Sequence, residues 1–134
     1  MSKRQTIMVV DDDADIRQSI QMGLEEGALG VKVITAHNAL TALQLAKTHK
    51  PDVIILDLHM PGGTGFEFME ELRQDPQLAT TKVLLLTARA SRENMWESID
   101  KNIDDFMAKP FDFMELETRV KNLLAKPTRN SRRI

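Results

Sequence analysis

Acidic side chains follow two of the apolar runs in this 134-residue chain. Three aspartates at 11–13 come directly after residues 7–10, and Asp57 comes directly after residues 53–56. If the two runs are neighbouring strands ~4.8 Å apart, the carboxylates crowd one crevice and repel one another unless a cation lies between them. Oxygen-only ligands favour a hard divalent ion, and Mg²⁺ is the usual one when phosphate chemistry follows. The spacing therefore predicts a magnesium site.

A hydroxyl and an ammonium follow two further apolar runs. Thr87 directly follows the run 83–86, and Lys109 directly follows the run 103–108. A carboxylate nucleophile can form an aspartyl-phosphate, whose equatorial oxygens Mg²⁺ and a lysine would stabilise and a hydroxyl could contact. Together with Asp57, these residues predict phosphoryl transfer to a carboxylate.

Each of these residues also has an ordinary structural interpretation. The aspartates can form a polar strand end, with Asp13 or Asp15 starting a helix. Thr87 alone is a strand-end hydroxyl, and Lys109 alone is a solvated charge. His59 could bind a metal or act as a base, but the carboxylates already suit a hard ion and histidine prefers softer ones.

Five short apolar runs have the composition of buried strands. They are Ile7–Val10, Val31–Ala36, Val53–Leu56, Val83–Leu86 and Ile103–Ala108. The first, third and fourth are continuously apolar, as in strands buried on both faces, whereas the second alternates and the fifth is interrupted by two aspartates. The second and fifth are therefore predicted to be edge strands.

Five amphipathic segments alternate with these strands, each with apolar residues at helical spacing. The first segment carries Ile16, Ile20 and Leu24 and ends near Gly27, and the second carries Ala42, Leu43 and Ala46 between an Asn38 cap and Pro51. The third carries Phe66, Met69 and Leu72 and ends at Asp75–Pro76, and the fourth carries Met95, Trp96 and Ile99 after a Ser91 cap. The fifth carries Leu116, Val120 and Leu123, and it follows Asp112 and Glu115, which resemble a capping box.

Strict β-α alternation predicts an α/β fold with a doubly wound parallel sheet and helices on both faces. Edge strands two and five fit the strand order 2-1-3-4-5 of the flavodoxin-like (βα)5 arrangement. Ligands in such sheets bind beyond the carboxyl ends of the strands, where strands one and three are neighbours. The first strand is followed there by the aspartates and the third by Asp57.

Composition limits the possible classes of protein. The chain has 42% hydrophobic residues, no cysteine and a net charge of −2, which excludes a disulfide scaffold, a thiolate zinc site and a disordered chain. No run is long enough to span a bilayer, and the polar start predicts no signal peptide, so a cytoplasmic domain is expected.

The charge is divided unevenly along the chain. The net charge is −6 over residues 1–125 and +4 over residues 126–134, and the second stretch is predicted to be a tail or the start of a linker. No direct nucleic-acid or membrane binding is expected of the domain.

An ordered set of motifs resembles a known family. The motifs are Val9–Asp13, Asp57–Pro61 with Gly65, Leu86–Ala88, and Phe106 with Lys109–Phe111. At these spacings they closely resemble the receiver domain of two-component response regulators, of the chemotaxis-regulator-like kind. The resemblance covers about residues 5–125.

The resemblance implies a role for each residue of the predicted site. Asp57 would accept a phosphoryl group from the phosphohistidine of a sensor histidine kinase or a phosphotransfer protein. Asp12 would bind Mg²⁺ directly and Asp11 mainly through water, with Asp57 and the backbone carbonyl of His59 completing the shell. Thr87 and Lys109 (the latter before a typically cis Pro110) would contact the phosphoryl oxygens.

The resemblance also implies a switch and partners. Phe106 would turn inward as Thr87 moves toward the phosphate, changing the face made by the fourth helix, fifth strand and fifth helix. That face would control a downstream protein or an output domain absent from this chain, and phosphorylation-dependent dimerisation stays open. The domain would not be an ordinary enzyme, since it would catalyse only its own Mg²⁺-dependent phosphorylation and dephosphorylation.

Some positions depart from the family pattern or leave alternatives open. Asn102–Ile103 replaces a frequent Gly-Ala, and His59 and Arg89 occupy variable positions near the phosphate. A pseudo-receiver that acts as a constitutive interaction module is one alternative. A phosphatase with an aspartate nucleophile is another, disfavoured because His59 stands where such enzymes have a second aspartate. Trp96 is either core or an anchor for a partner.

Overall fold

The computed structural model describes residues 4–57, 65–88 and 103–126. Five parallel strands form one sheet: β1 (Thr6–Val10), β2 (Lys32–Ala36), β3 (Val53–Leu56), β4 (Lys82–Ala88) and β5 (Asp105–Lys109). Their spatial order is β2-β1-β3-β4-β5. The predicted sheet order and both predicted edge strands are confirmed.

Four helices lie within the described residues. They are α1 (Ala14–Glu26), α2 (Ala39–His49), α3 (Gly65–Gln74) and a C-terminal helix (Phe113–Ala125), which is the fifth helix of the sequence prediction. The fourth predicted helix, with Met95 and Trp96, lies outside the described residues, and so does Asn102.

Alternate strand residues point to opposite sides of the sheet and form two separate apolar clusters. One side packs strand residues such as Ile54 against α2 and α3, and its core includes Phe68 and Leu72. The other side packs residues such as Ile55 against α1 and the C-terminal helix. The result is a three-layer α/β/α domain whose inner strands are covered on both faces.

Side-chain caps fix where three helices begin, because the first backbone N–H groups of a helix have no partner within it. Asp13, Asn38 and Asp112 accept hydrogen bonds from such groups of α1, α2 and the C-terminal helix, respectively. The expected capping box is only half formed. The Glu115 carboxylate accepts hydrogen bonds from Arg119 at 3.0 and 2.8 Å.

Two details of the elements differ from the sequence prediction. β5 begins at Asp105 rather than Ile103, and the preceding Asp104 carboxylate accepts a 2.8 Å hydrogen bond from the backbone N–H of Val83. In α3, Phe68 is buried beside Met69, although the predicted apolar stripe did not include Phe68.

No helix among residues 4–57, 65–88 and 103–126 is long and apolar enough to cross a bilayer. The C-terminal helix ends at Ala125. Residues 127–134 lie outside the described part of the chain, so the division at residue 125 and the basic tail stay predictions.

Candidate functional site

The pairing of β1 with β3 brings the first and second acidic motifs together. Val10 lies opposite Leu56 in the parallel register, so the residues that follow these two positions meet at the carboxyl edge of the sheet. The backbone N–H of Asp57 donates to the carbonyl oxygen of Val10 at 2.9 Å, and that of Asp11 donates to Ala36 at 3.2 Å. The site thus lies where strand order reverses, as expected for this fold.

Lys109 lies between the two buried carboxylates. Its ammonium nitrogen is 3.0 Å from Asp11 Oδ2 and 3.2 Å from Asp57 Oδ2. Only 1% of Asp11 and 4% of Asp57 is exposed. The sequence prediction required a cation between these carboxylates, and in the structure the protein's own lysine supplies one.

Burial and charge shift the pKa values of Asp11 and Lys109 in definite directions. Burial raises the pKa of Asp11, and the charge of Asp57 adds to the shift, although hydrogen bonds from the Asp13 backbone and Lys109 oppose it. Burial alone would lower the pKa of Lys109. The hydrogen bond to Asp11 and the charges of Asp57 and Asp11 outweigh burial, so this pKa is raised and Lys109 stays cationic.

Asp12 completes a set of three carboxylates. One oxygen from each of Asp11, Asp12 and Asp57 lies within 4.8 Å of the others, and Asp12 is exposed to solvent. A compact group of carboxylate oxygens suits a hard divalent cation better than a soft one. The donor set therefore fits the magnesium expected from the sequence.

The loop that carries the aspartates is held by the first turn of α1. The Asp13 backbone N–H donates to Asp11 Oδ1 at 2.9 Å, and the Asp13 side chain caps the helix. Arg17 donates to the carbonyl oxygen of Asp11 at 2.7 Å. The sequence reasoning did not include Arg17; its position one turn after the Asp13 cap was the only available signal.

β4 and β5 bring the other predicted residues to the same edge. Thr87 pairs with Ala108 in the register of the two strands, and Ala88 pairs with Lys109. The Lys109–Pro110 peptide bond is cis, as the resemblance implied. The Thr87 side chain is not described, and His59 and Arg89 lie outside the described residues.

Phe106 lies on β5 and is partly buried against the apolar cluster on the α2–α3 side. Phe106 also lines a surface groove of about 410 Å³, together with Phe111 and Arg119. Arg119 donates to the Phe106 carbonyl at 3.3 Å and to the Asp105 carboxylate at 2.7 Å. The predicted switch aromatic thus lies on β5 beside a groove that reaches the C-terminal helix.

Comparison with known proteins identifies the family of this fold and site. The sequence model of the response regulator receiver domain matches residues 7–121. Response regulator Rre1 of Synechocystis is 35% identical over 131 residues, covering 98% of this chain and 56% of the relative. The alkaline phosphatase synthesis transcriptional regulatory protein PhoP of Bacillus subtilis is 38% identical over 120 residues, covering 90% of this chain and 48% of the relative.

Solved structures agree with the sequence comparison. The structure of chemotaxis response regulator CheY4 of Vibrio cholerae superposes with a TM-score of 0.81 at 32% identity, covering 90% of this chain and 99% of that chain. The chain spans about half the length of the curated relatives that it matches. The family model matches most of the length of the chain, and the sheet has the order β2-β1-β3-β4-β5 predicted from the sequence. This chain therefore belongs to the family of response regulator receiver domains.

Proposed function

We propose that this domain is a phosphorylation-controlled signalling switch in which Asp57 accepts a phosphoryl group from a sensor histidine kinase or a phosphotransfer protein. One observation carries the proposal. The buried Asp57 carboxylate is 3.2 Å from the Lys109 ammonium and shares one crevice with Asp11 and Asp12. A nucleophile beside a fixed cation and further oxygen ligands is the arrangement that phosphoryl transfer needs.

Mg²⁺ would be held by Asp11, Asp12, Asp57 and the backbone carbonyl of His59. Both oxygens of Asp11 already accept hydrogen bonds, from the Asp13 backbone and Lys109, which favours contact with the ion through water. The Asp12 side chain is exposed and forms no hydrogen bond or ion pair with the residues that the structure describes, which favours direct binding. When bound, Mg²⁺ neutralises carboxylate charge and withdraws electrons from the phosphoryl oxygens.

The residues of the chain have distinct roles in the transfer. An Asp57 oxygen attacks phosphorus as the P–N bond of the phosphohistidine breaks, and the donor imidazole keeps the electron pair and takes a proton. Lys109 and the Thr87 hydroxyl contact the phosphoryl oxygens, where negative charge is spread during transfer. Water later attacks the same phosphorus and releases inorganic phosphate, which regenerates the Asp57 carboxylate.

The signal would leave the site through β5. Movement of Thr87 toward the phosphate lets Phe106 turn inward, and this changes the face that β5 forms with the C-terminal helix and the predicted fourth helix. We propose that this face controls a downstream protein or an output domain, in the cytoplasm, without direct contact with nucleic acid or membrane. Phosphorylation-dependent homodimerisation through the face is one form of that control. The groove beside Phe106 supports the proposal, because it offers a partner both apolar surface and charge.

Intact-mass measurement tests the phosphoacceptor. Wild-type protein incubated with Mg²⁺ and acetyl phosphate should gain the mass of one phosphoryl group. Asp57→Ala should gain none, whereas Asp15→Ala, which removes an exposed carboxylate in the first turn of α1, should behave as wild type. No gain in wild type, or an undiminished gain in Asp57→Ala, would contradict the proposal.

Calorimetric titration with Mg²⁺ separates this function from a constitutive interaction module. A working site should bind Mg²⁺ saturably, and Asp12→Ala should weaken the binding. Absence of saturable binding in the wild type would favour the pseudo-receiver interpretation. Repeated turnover of a generic phosphate ester would instead favour the phosphatase interpretation.

A further inference from the structure

A second groove lies at the opposite edge of the sheet, beside the amino ends of β3 and β4. It encloses about 280 Å³ and is bounded by the loop before β3, the loop before β4 and the end of the C-terminal helix. Its charged lining residues are Lys50, Asp52, Lys82 and Lys126. The volume is near the lower end of the range for ligand sites, ~300–1,000 Å³, so the groove suits a small solute.

Lys82 contributes a buried positive charge to this groove. Only 7% of the residue is exposed, and its ammonium donates to the carbonyl oxygens of Leu123 and Lys126 at the end of the C-terminal helix. Across the described part of the chain, no carboxylate forms an ion pair with it. An ammonium has three donors, so one of the three has no acceptor among the described residues.

The helix end offsets only part of this charge. Its carbonyl groups carry roughly half an elementary negative charge, against the full positive charge of the lysine. Burial accordingly lowers the pKa of Lys82, even though Asp104 and Asp52 raise it from a distance. A buried charge without a counter-ion is costly, and an anion in the groove would remove that cost.

Two further lysines at the groove have no partner among the described residues. Within residues 4–57, 65–88 and 103–126, the ammonium groups of Lys50 and Lys126 form no hydrogen bond or ion pair. The nearby carboxylate of Asp52 accepts the backbone N–H of Thr6 at Oδ2 (2.8 Å) and supplies one negative charge. Three lysines therefore face a single aspartate in this groove, although residues 1–125 carry a net charge of −6.

We propose that this groove is a binding site for a small phosphate-type oxyanion, held by the ammonium groups of Lys82, Lys50 and Lys126. The buried Lys82 donor supplies the fixed contact, and the two exposed lysines neutralise the remaining charge of the ligand. Thr80, on the α3–β4 loop, also lines the groove and carries a hydroxyl that could add a neutral donor. Such a site lies far from Asp57 along the sheet and does not depend on phosphorylation.

Titration of metal-free protein with inorganic pyrophosphate tests the site. Protein freed of metal on a chelating resin keeps the Asp57 crevice rich in carboxylate charge, so that crevice should repel the probe. At constant ionic strength, calorimetry should show saturable binding, and the amide NMR signals of residues 50–52, 80–82 and 124–126 should shift. The double variant Lys50→Gln, Lys126→Gln should weaken binding by about tenfold or more.

Two controls make the result decisive. Lys121→Gln removes an exposed lysine of the C-terminal helix outside the groove and should leave the affinity unchanged. Citrate, a carboxylate probe of similar charge, should bind more weakly than pyrophosphate. The site is refuted if pyrophosphate binding is absent or unsaturable, or if it falls equally in Lys121→Gln. Tighter binding of citrate would refute the phosphate class.

Discussion

Lys109 is the cation between two carboxylates that are almost fully buried. Its side chain is 23% exposed, and its removal would leave Asp11 and Asp57 facing each other without it. Breaking a buried ion pair costs ~3–5 kcal/mol, and partial solvent screening here reduces the expected loss to about 1–3 kcal/mol. Urea denaturation of Lys109→Met in metal-free buffer should show a loss of this size.

Lys109→Met also tests whether Mg²⁺ can replace the charge of the lysine in stabilising the folded protein. Mg²⁺ that binds only the native state stabilises it by mass action, so it should return part of the stability lost in Lys109→Met. Lys121→Met, on the exposed side of the C-terminal helix, should lose little under either condition. A stability of Lys109→Met equal to that of wild type without metal would show that the two carboxylates do not need the ammonium.

Lys82 gives stability a pH dependence of definite sign. Its pKa in the folded protein is lowered from 10.5 by burial. Between the lowered value and 10.5 the unfolded chain binds more protons than the native state, so the free energy of unfolding should rise with pH across that window. Denaturation at a series of pH values should show this rise in Lys121→Met and a smaller rise in Lys82→Met. Equal slopes would contradict the assignment.

Among the elements, α1 and the C-terminal helix approach each other at a glycine. A Cβ added at Gly23 would lie 2.5 Å from the Phe113 ring, closer than real Cβ contacts. Gly→Ala inside a helix normally stabilises by about 1 kcal/mol, whereas overpacking costs ~1–3 kcal/mol. Gly23→Ala should therefore destabilise the domain in thermal or urea unfolding, against the helix propensity.

A second substitution locates the cause of that loss. Phe113→Leu shortens the ring that meets the new methyl group, so the double variant Gly23→Ala, Phe113→Leu should be more stable than the two single effects predict. Gln18→Ala, at an exposed position of the same helix, should be neutral or slightly stabilising. Additivity of the two changes would place the loss elsewhere.

For the whole molecule, local patterns predicted the architecture because each strand and helix carries its own signal. Alternation of β-type and helical periods predicted the parallel sheet, and the weaker apolar character of the runs near Val33 and Met107 predicted the two edges. Asn38 and Asp112 were recognisable as caps from their position before apolar helical stripes.

Contacts between distant residues were harder to predict from the sequence. Glu115 contacts Arg119 instead of closing a capping box, and periodicity does not decide between two helical partners. Lys82, the first residue of β4, was not singled out from the sequence, yet it is buried against the end of a helix 41 residues away in sequence. Such contacts depend on which elements become neighbours.

The two apolar clusters predict which pairs of core substitutions have additive effects on the free energy of unfolding. Ile54 and Ile55 are adjacent in β3 but belong to opposite clusters, whereas Val9 lies opposite Ile55 and shares its cluster. Each Ile→Val change should cost ~0.5–1.5 kcal/mol. The effects of Ile54→Val and Ile55→Val on the free energy of unfolding should add, because the two side chains pack in different apolar clusters on opposite sides of the sheet.

Substitutions at Val9 and Ile55, which share one cluster, should not have additive effects on the free energy of unfolding. Val9→Ala and Ile55→Val change neighbouring residues on one side of the sheet, so their combined effect should depart from the sum of the single effects. Urea denaturation of both double variants compares the two cases directly. Strong coupling between Ile54 and Ile55 would mean that the sheet transmits packing changes from one side to the other.

The separation of the two apolar clusters also affects how such a domain can evolve or be redesigned. A repacking mutation on the α2–α3 side leaves the packing of α1 and the C-terminal helix intact, so each side can accumulate substitutions at its own pace. An engineer could take one side from this chain and the other from a relative, provided that the shared strands keep their register. The carboxyl edge, which draws residues from β1, β3, β4 and β5, is the part that such a chimera would have to inherit as a unit.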